Sequence, residues 1–464
     1  DVIQVPSDWN TQKENLFYYE GTVWYKKSFD YMKTNQDNRV FVYFEAVNYQ
    51  ADVYFNGKKL GTHIGGFTPF NFEVTELLKE SDNFLVVKVD NKRKKEAVPT
   101  LNTDWWNYGG ITRDVKLVEV SNNFIQDYFI QLNPKNNQQI KGFVQLKGAD
   151  ISEKEILISI PELKIKKKVL TNTQGIASIE IKSKKINYWS TQNPYLYTVV
   201  LTSESDEIKD QIGFRTIKTK GQEILLNDEK IFLKGISIHE ESPITGGRGS
   251  SIEDAQQLLN WAKELGCNYV RLAHYPHNEH MVRLADKMGI LVWEENPVYW
   301  TIAWDNKETY KNAENQLTEV INRDKNRASV IIWSMANETP TSEPRNIFLT
   351  NLASHTRKLD PTRLISAALE QSDFEGNSTI RTIHDSFADV VDVLSFNQYV
   401  GWYDGLPEKC GQITWKITQN KPVLISEFGA GAKVGLHGDK LTRWTEEYQE
   451  DVYIQTLKML EGIE

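Results

Sequence analysis

From Gly221 onward, short apolar runs alternate with helical stretches, and that rhythm leaves few folds open. Ile231–Ile238, Tyr269–Leu272, Ile290–Trp293, Val330–Trp333, Leu364–Ala367, Val393–Phe396 and Val423–Ile425 read as strands. Ile252–Leu265, Met281–Met288 and Thr445–Glu461 read as helices between and after them, the first capped by Ser250 or Ser251. Seven strands alternating with helices over roughly 240 residues predict a (β/α)8 barrel. A doubly wound open sheet is the rival, but the Gly-rich first turn of a nucleotide-binding sheet is missing after Ile238. The strand count stops at seven, and an open barrel would expose two unpaired edges. The expectation is therefore a fragment: the eighth strand lies beyond Glu464, and the N-terminus, opening in a β-rich segment, is trimmed as well.

A chain of 464 residues has room for about three domains at roughly 150 residues each. Residues 1–120 read as a β-sandwich, with strands at Thr22–Phe29, Val40–Ala46, Ala51–Phe55, Asn71–Val74 and Asn83–Asp90. Asn56-Gly57 marks a hairpin turn after the third of these. Residues 121–219 shift to Lys- and Ile-rich strands, such as Glu155–Ile160 and Leu163–Leu170. Their spacing of about ten residues fits a small seven-strand sandwich that acts as a brace. The barrel then occupies 220–464.

Composition narrows the function by exclusion. With 54 Lys+Arg against 63 Asp+Glu, the net charge of −9 argues against binding a phosphate backbone. Two cysteines, Cys267 and Cys410, are too few for a disulfide framework or a Cys-based zinc cluster. No run of 18 apolar residues exists to span a membrane. The expected protein is soluble, with its compartment open between cytoplasm and periplasm or secretion.

Reactive groups of a (β/α)8 barrel sit just past the C-terminal ends of its strands. Here those positions hold His239-Glu240-Glu241, His274-Tyr275-Pro276-His277, Glu294-Glu295-Asn296-Pro297, Asn337-Glu338, Asn397-Gln398-Tyr399 and Glu427-Phe428-Gly429. Glu338 and Glu427 each follow a long apolar run. A carboxyl pair is what glycoside hydrolysis requires: one protonated to serve the leaving oxygen, one ionised to attack the anomeric carbon. Strands four and seven face each other across an eight-stranded barrel. The two carboxyls should then lie about 5 Å apart, the separation of a retaining mechanism, with a bell-shaped pH dependence. Asn337 is placed to hold a sugar 2-hydroxyl.

The run Val330-Ile331-Ile332-Trp333-Ser334-Met335-Ala336-Asn337-Glu338 resembles the acid/base motif of glycoside hydrolase family 2. Pro422-Val423-Leu424-Ile425-Ser426-Glu427-Phe428-Gly429 resembles its nucleophile motif. Asp104-Trp105-Trp106-Asn107-Tyr108-Gly109-Gly110-Ile111-Thr112-Arg113-Asp114-Val115 resembles the loop by which that family's jelly roll reaches the barrel. Gly213-Phe214-Arg215-Thr216 and Leu233-Lys234-Gly235 resemble the approach to the first barrel strand. The resemblance implies a jelly roll over 1–120, an immunoglobulin-like sandwich over 121–219 and a catalytic barrel. It also implies Glu338 as acid/base, Glu427 as nucleophile and Asn337 at the 2-hydroxyl. His239 and His274 would line the sugar subsite, with Asp104 reaching in from the first domain. Asn397, Tyr399 and Tyr403 look most like the β-glucuronidase branch, with β-galactosidase close behind.

Two departures stand out. The family's usual Tyr after the nucleophile is Phe428 here. The Asn-x-Lys element that clamps a glucuronate carboxylate falls, in the family, after strand eight. Neither a cofactor nor a metal is expected: Pro276 breaks the helical face that His274, His277 and His280 would need, and the Glu-x-His of the large β-galactosidases is not visible after Pro297. The expected partner is a glycoside or oligosaccharide, without nucleic acid or membrane, and homo-oligomer formation is left open. The reading is a retaining exo-β-glycosidase. Its rival is a non-catalytic carbohydrate-binding protein that keeps the architecture.

Overall fold

The computed structural model describes residues 2–463. The first unit packs two antiparallel sheets face to face. One runs Thr22–Phe29, Asn83–Asp90, Gln50–Phe55, Lys58–Ile64 in spatial order; the other runs Phe70–Glu73, Arg39–Phe44, Val115–Val120. Strict alternation in Arg39–Phe44 and Asn83–Asp90 turns every second residue inward. Val40, Val42, Phe44, Val53, Phe55, Val87 and Val89 fill the space between the sheets. Asn56 and Gly57 both adopt positive φ, the geometry of a tight hairpin between Gln50–Phe55 and Lys58–Ile64.

The second unit is a smaller sandwich of a four-stranded and a three-stranded sheet, cored by Ile130, Ile140, Ile156, Ile158, Val199 and Leu201. A three-stranded antiparallel sheet, Ile217–Lys220, Glu223–Leu226 and Glu229–Ile231, then leads into the barrel. Here the structure departs from the sequence expectation of one strand over Ile231–Ile238. Ile231 ends the antiparallel sheet, and the barrel strand begins only at Gly235. A Cβ at Gly235 would come within 2.3 Å of the Tyr269 carbonyl oxygen, so only glycine lets the first two barrel strands approach here.

Among the described residues the barrel sheet has seven parallel strands in sequential order: β1 (Gly235–Ile238), β2 (Tyr269–Leu272), β3 (Leu291–Glu295), β4 (Val330–Asn337), β5 (Leu364–Leu369), β6 (Leu394–Asn397) and β7 (Val423–Glu427). The sheet curls until its outer strands meet, where the Ser237 hydroxyl donates to the Ser426 carbonyl at 3.3 Å. The helices outside it are α1 (Ile252–Glu264), α2 (Glu279–Met288), α3 (Lys307–Asp324), α4 (Glu343–Leu359) and α5 (Glu446–Leu460). Ser251, not Ser250, caps α1, and its hydroxyl and Asp254 satisfy each other's backbone amides in a capping box. Helices α3 and α4 have no counterpart in the periodicity reading. Buried polar residues on their inner faces, Thr309, Gln316 and Asp324 on α3 and Arg345 and Thr356 on α4, interrupt the apolar stripe. Among the described residues no helix is long and apolar enough to cross a membrane.

Candidate active site

Strands β4 and β7 are apolar apart from Ser334 and Ser426, so the amide and carboxyl side chains at and just past their C-terminal ends stand at the barrel mouth. On β4 a break in register between Ser334 and Asn337 re-aims the strand end, and Glu338 follows with φ of 46°. A non-glycine residue in the left-handed region is strained, and such strain persists only where surrounding bonds hold it. Here the Glu338 amide donates to the Ala368 carbonyl at 3.0 Å. Trp300, also at positive φ, donates its indole N–H to Glu338 Oε2 at 3.1 Å. The Trp300 backbone is itself tied to the Asn337 carbonyl at 3.0 Å.

Glu427 has different company. The Arg271 guanidinium and the Tyr399 hydroxyl both donate to it, and His274 Nε2 lies 3.5 Å from its Oε1. Burial alone would push its carboxyl up. The charge of Arg271, then His274, then the Tyr399 hydrogen bond outweigh that and hold it below the ordinary carboxylate range. Tyr399 is correspondingly held above the ordinary phenol range, by burial first and by the Glu427 charge next, so its hydroxyl keeps the proton it donates.

Arg271 organises the floor between the two glutamates. It is 1 % exposed and rises from the middle of β2. Its Nη2 contacts both oxygens of Glu295, at 2.9 and 3.0 Å, and donates to Asn337 Oδ1 at 2.7 Å. Asn397 Nδ2 donates to the same Asn337 oxygen at 3.2 Å and to Glu338 Oε1 at 3.0 Å. A continuous path thus runs Glu427–Arg271–Asn337–Asn397–Glu338. Glu295 is fully buried; burial raises its carboxyl, but Arg271 and His274 bring it down to about 2. His274 Nδ1 lies 2.9 Å from Glu295, which fixes the ring facing Glu427. One polar atom is unmatched: the Asn337 Nδ2 amide is buried without a partner. Such a group costs about 1–3 kcal/mol until a ligand oxygen accepts from it.

The remaining wall comes from the first unit. Asp104 Oδ2 accepts from the Tyr299 hydroxyl at 2.8 Å. The Trp105 ring lies 5.0 Å from Tyr299, 5.7 Å from His274 and 6.2 Å from His239. His239 Nδ1 meets the Tyr275 hydroxyl at 3.2 Å, and burial, followed by the neighbouring His274, lowers its imidazole to about 3, so it is neutral above that pH. The loop is pinned to the barrel by buried Arg113, which donates to Glu240 at 3.0 and 3.1 Å and to the Pro276 and Phe67 carbonyls.

Of the residues singled out from sequence, Glu338, Glu427, Asn337, His274, Asn397 and Tyr399 meet in one network. His239 and Asp104 stand at its edge. The Tyr403 side chain stays outside it, 76 % exposed, with its ring 5.0 Å from that of Tyr399 and its backbone amide donating to the Tyr399 carbonyl at 3.1 Å. Phe428 packs edge-on against Tyr453, so the hydroxyl at Glu427 comes from Tyr399 instead. His274 and His277 have separate protein partners, the second bonding the Ala273 carbonyl at 3.0 Å.

Sequence reasoning passed over Arg271, Tyr299, Trp300 and Glu370. An arginine inside a four-residue buried strand was the signal for the first. Glu370 follows β5 directly, where the strand-end rule itself points. Burial, then the nearby charge of Glu338, push its carboxyl above the ordinary range.

Three family models match the chain in order. Residues 1–121 match the glycosyl hydrolases family 2 sugar binding domain, 123–215 the family 2 central model and 217–459 the family 2 TIM barrel domain. A putative beta-glucuronidase of Formosa agariphila is 30 % identical over 487 residues, covering 97 % of this chain and 56 % of the relative. The chain thus spans little more than half the length of that protein. A beta-glucuronidase of Paenibacillus borealis is 29 % identical over 506 residues, covering 97 % of this chain and 81 % of the relative. The structure of Bifidobacterium dentium beta-glucuronidase complexed with coumarin-3-O-glucuronide has a TM-score of 0.88 at 25 % identity, covering 99 % and 84 % of the two chains. A beta-galacturonidase from Eisenbergiella tayi gives 0.85 at 26 %, covering 100 % and 82 %.

Proposed function

The chain belongs to glycosyl hydrolase family 2, and from that premise we propose that it is a retaining exo-β-glycosidase acting on terminal β-glucuronides. One observation carries the chemistry. Glu427 sits among a guanidinium, an imidazole and a hydroxyl, while the hydrogen-bond donors to Glu338 are an indole and an amide, both neutral. An anion is stabilised in the first setting, and a carboxyl that must alternately hold and release a proton suits the second. The sugar reading follows the named relatives: the putative beta-glucuronidase of Formosa agariphila, the beta-glucuronidase of Paenibacillus borealis and the solved beta-glucuronidase of Bifidobacterium dentium.

In the first step a Glu427 oxygen forms a bond to the anomeric carbon as the bond to the leaving oxygen breaks. Glu338 gives its proton to that oxygen. Glu427 loses its charge in the process, but Arg271 is not left uncompensated, because Glu295 still pairs with it. In the second step Glu338, now ionised, takes a proton from water as the water oxygen bonds to the anomeric carbon. The ester bond to Glu427 breaks, and the configuration is retained overall. Asn337 Nδ2, buried and unmatched, is the donor for the sugar's 2-hydroxyl, a bond that strengthens as positive charge develops.

The test is a panel of aryl β-glycosides followed by NMR of the first-formed sugar. The β-glucuronide should be preferred, with a β-configured product. Glu427→Ala should abolish turnover, and azide should restore it as an α-glycosyl azide. Turnover surviving in both Glu427→Ala and Glu338→Ala would sink the assignment.

A further inference from the structure

Behind the floor of the candidate site lies a second group of buried charges, which the proposed chemistry does not use. Successive residues of a strand face opposite ways, so with Glu295 turned to Arg271 inside the barrel, Glu294 points out of β3 toward the end of α3. There Arg323 Nη2 meets Glu294 Oε1 at 3.0 Å and Asp324 Oδ2 at 2.5 Å, and Arg323 Nε donates to the same Asp324 oxygen at 2.8 Å. Each carboxyl thus turns one oxygen to a single guanidinium. The other two oxygens, Glu294 Oε2 and Asp324 Oδ1, are buried without a hydrogen-bond partner among the described residues. Glu294 is 1 % exposed and Asp324 fully buried. The other groups that act on this pair or on Arg323 have partners of their own or carry no charge. Glu279 on α2 pairs with Arg283 at 2.6 Å, Arg113 from the first unit pairs with Glu240, and Tyr43 from the same unit is a phenol. Two carboxyls and one guanidinium, out of water, leave one negative charge too many. The two side chains lie within hydrogen-bonding reach of each other, and burial, then the charge of Asp324, push the Glu294 carboxyl well above the ordinary range. A proton between Glu294 Oε2 and Asp324 Oδ1 removes the surplus charge and gives both oxygens a partner at once.

We propose that Glu294 and Asp324 share one proton, and that this proton latches the end of β3 to α3 until rising pH removes it. Its loss leaves two buried anions against one cation. Their repulsion acts on β3 one residue before Glu295, which holds Arg271 and His274 in place. The folded chain therefore keeps a proton that the unfolded chain, with an ordinary glutamate value of about 4.3, has already given up. The stability this contributes is complete below about pH 4.3 and declines as pH rises through the higher folded-state value. The latch requires nothing of the glycosidase reading, since neither carboxyl faces the barrel mouth.

The test is urea unfolding of the full chain from mildly acid to mildly alkaline pH, with wild type, Glu294→Gln and Asp324→Asn. Each amide donates the hydrogen bond that the proton supplies, but it cannot titrate. The wild-type unfolding constant should rise relative to either variant by up to about tenfold per pH unit, the signature of one proton held only by the folded chain. Infrared difference spectra at neutral pH give a direct readout: the carbonyl band of a protonated carboxyl should be present in the wild type and gone from both variants. Equal pH dependence in all three proteins, or no such band in the wild type, overturns the proposal. A band that survives in Asp324→Asn overturns the sharing, because Glu294 then holds its proton through burial alone. If one variant does not fold, the other carries the same comparison.

Discussion

Glu427 and Glu338 close two strands of one barrel, yet the regions around them are electrostatic opposites. The β7 side concentrates positive charge and a phenol on its carboxylate. The β4 side offers an indole and an amide, and it sets a second carboxyl, Glu370, nearby. Both glutamates are products of the same local rule, a polar residue at the end of a buried strand. What separates their chemistry is contributed by other strands: β2 through Arg271, and the segments after β3 and β6 through Trp300 and Tyr399.

The largest expected effect tests whether the charged side is the nucleophilic one. Glu427→Ala should cost about 10⁴-fold or more in kcat, with the protein still folded by circular dichroism. Glu338→Ala should instead sort substrates, with heavy losses for poor leaving groups and small ones for activated aryl groups, read from a leaving-group series. Identical behaviour of the two variants would erase the distinction.

Next comes Arg271→Met. It strips the cation from fully buried Glu295, and breaking a buried pair costs about 3–5 kcal/mol, measurable by denaturant unfolding. The variant should also lose activity, because the anion at Glu427 loses its main support. Full stability in Arg271→Met would mean that the pair does not hold the floor together.

A smaller effect concerns pH. Glu427 sits below the ordinary carboxylate value of about 4.3, so its ionised form persists through that pH and is lost only further down. The acid limb of kcat/KM should therefore fall below that value. Tyr399→Phe removes a donor to the ionised form, so the Glu427 pKa rises and the acid limb moves to higher pH. The smallest effect is Trp300→Phe. It should lower kcat/KM by about tenfold or less and leave the acid limb in place, because the indole bonds Glu338 and not Glu427. An acid limb displaced equally in Trp300→Phe and Tyr399→Phe would contradict the division between the two sides.

Much of this arrangement could be read along the chain. Barrel strands announce themselves as short apolar runs because both of their faces are buried, and the residues just beyond them must be polar. That logic reached Glu338, Glu427, Asn337, His274, Asn397 and Tyr399. It failed at Arg271, whose burial contradicts its charge until Glu295 is placed beside it, and at α3 and α4, whose buried Gln and Arg break the periodic stripe. Tyr403, also near a strand end, lies largely in solvent outside the hydrogen-bonded network.

By itself, then, the order of residues determined the barrel rhythm, the two preceding sandwiches and the positions from which reactive groups emerge, because burial and backbone pairing act over a few residues at a time. Only the folded chain decided what surrounds each glutamate and which of them meets a buried cation. That difference depends on Arg271 meeting Glu427 across 156 positions of sequence and Trp300 meeting Glu338 across 38. Electrostatic environment is a property of distance in space, and no local pattern carries it.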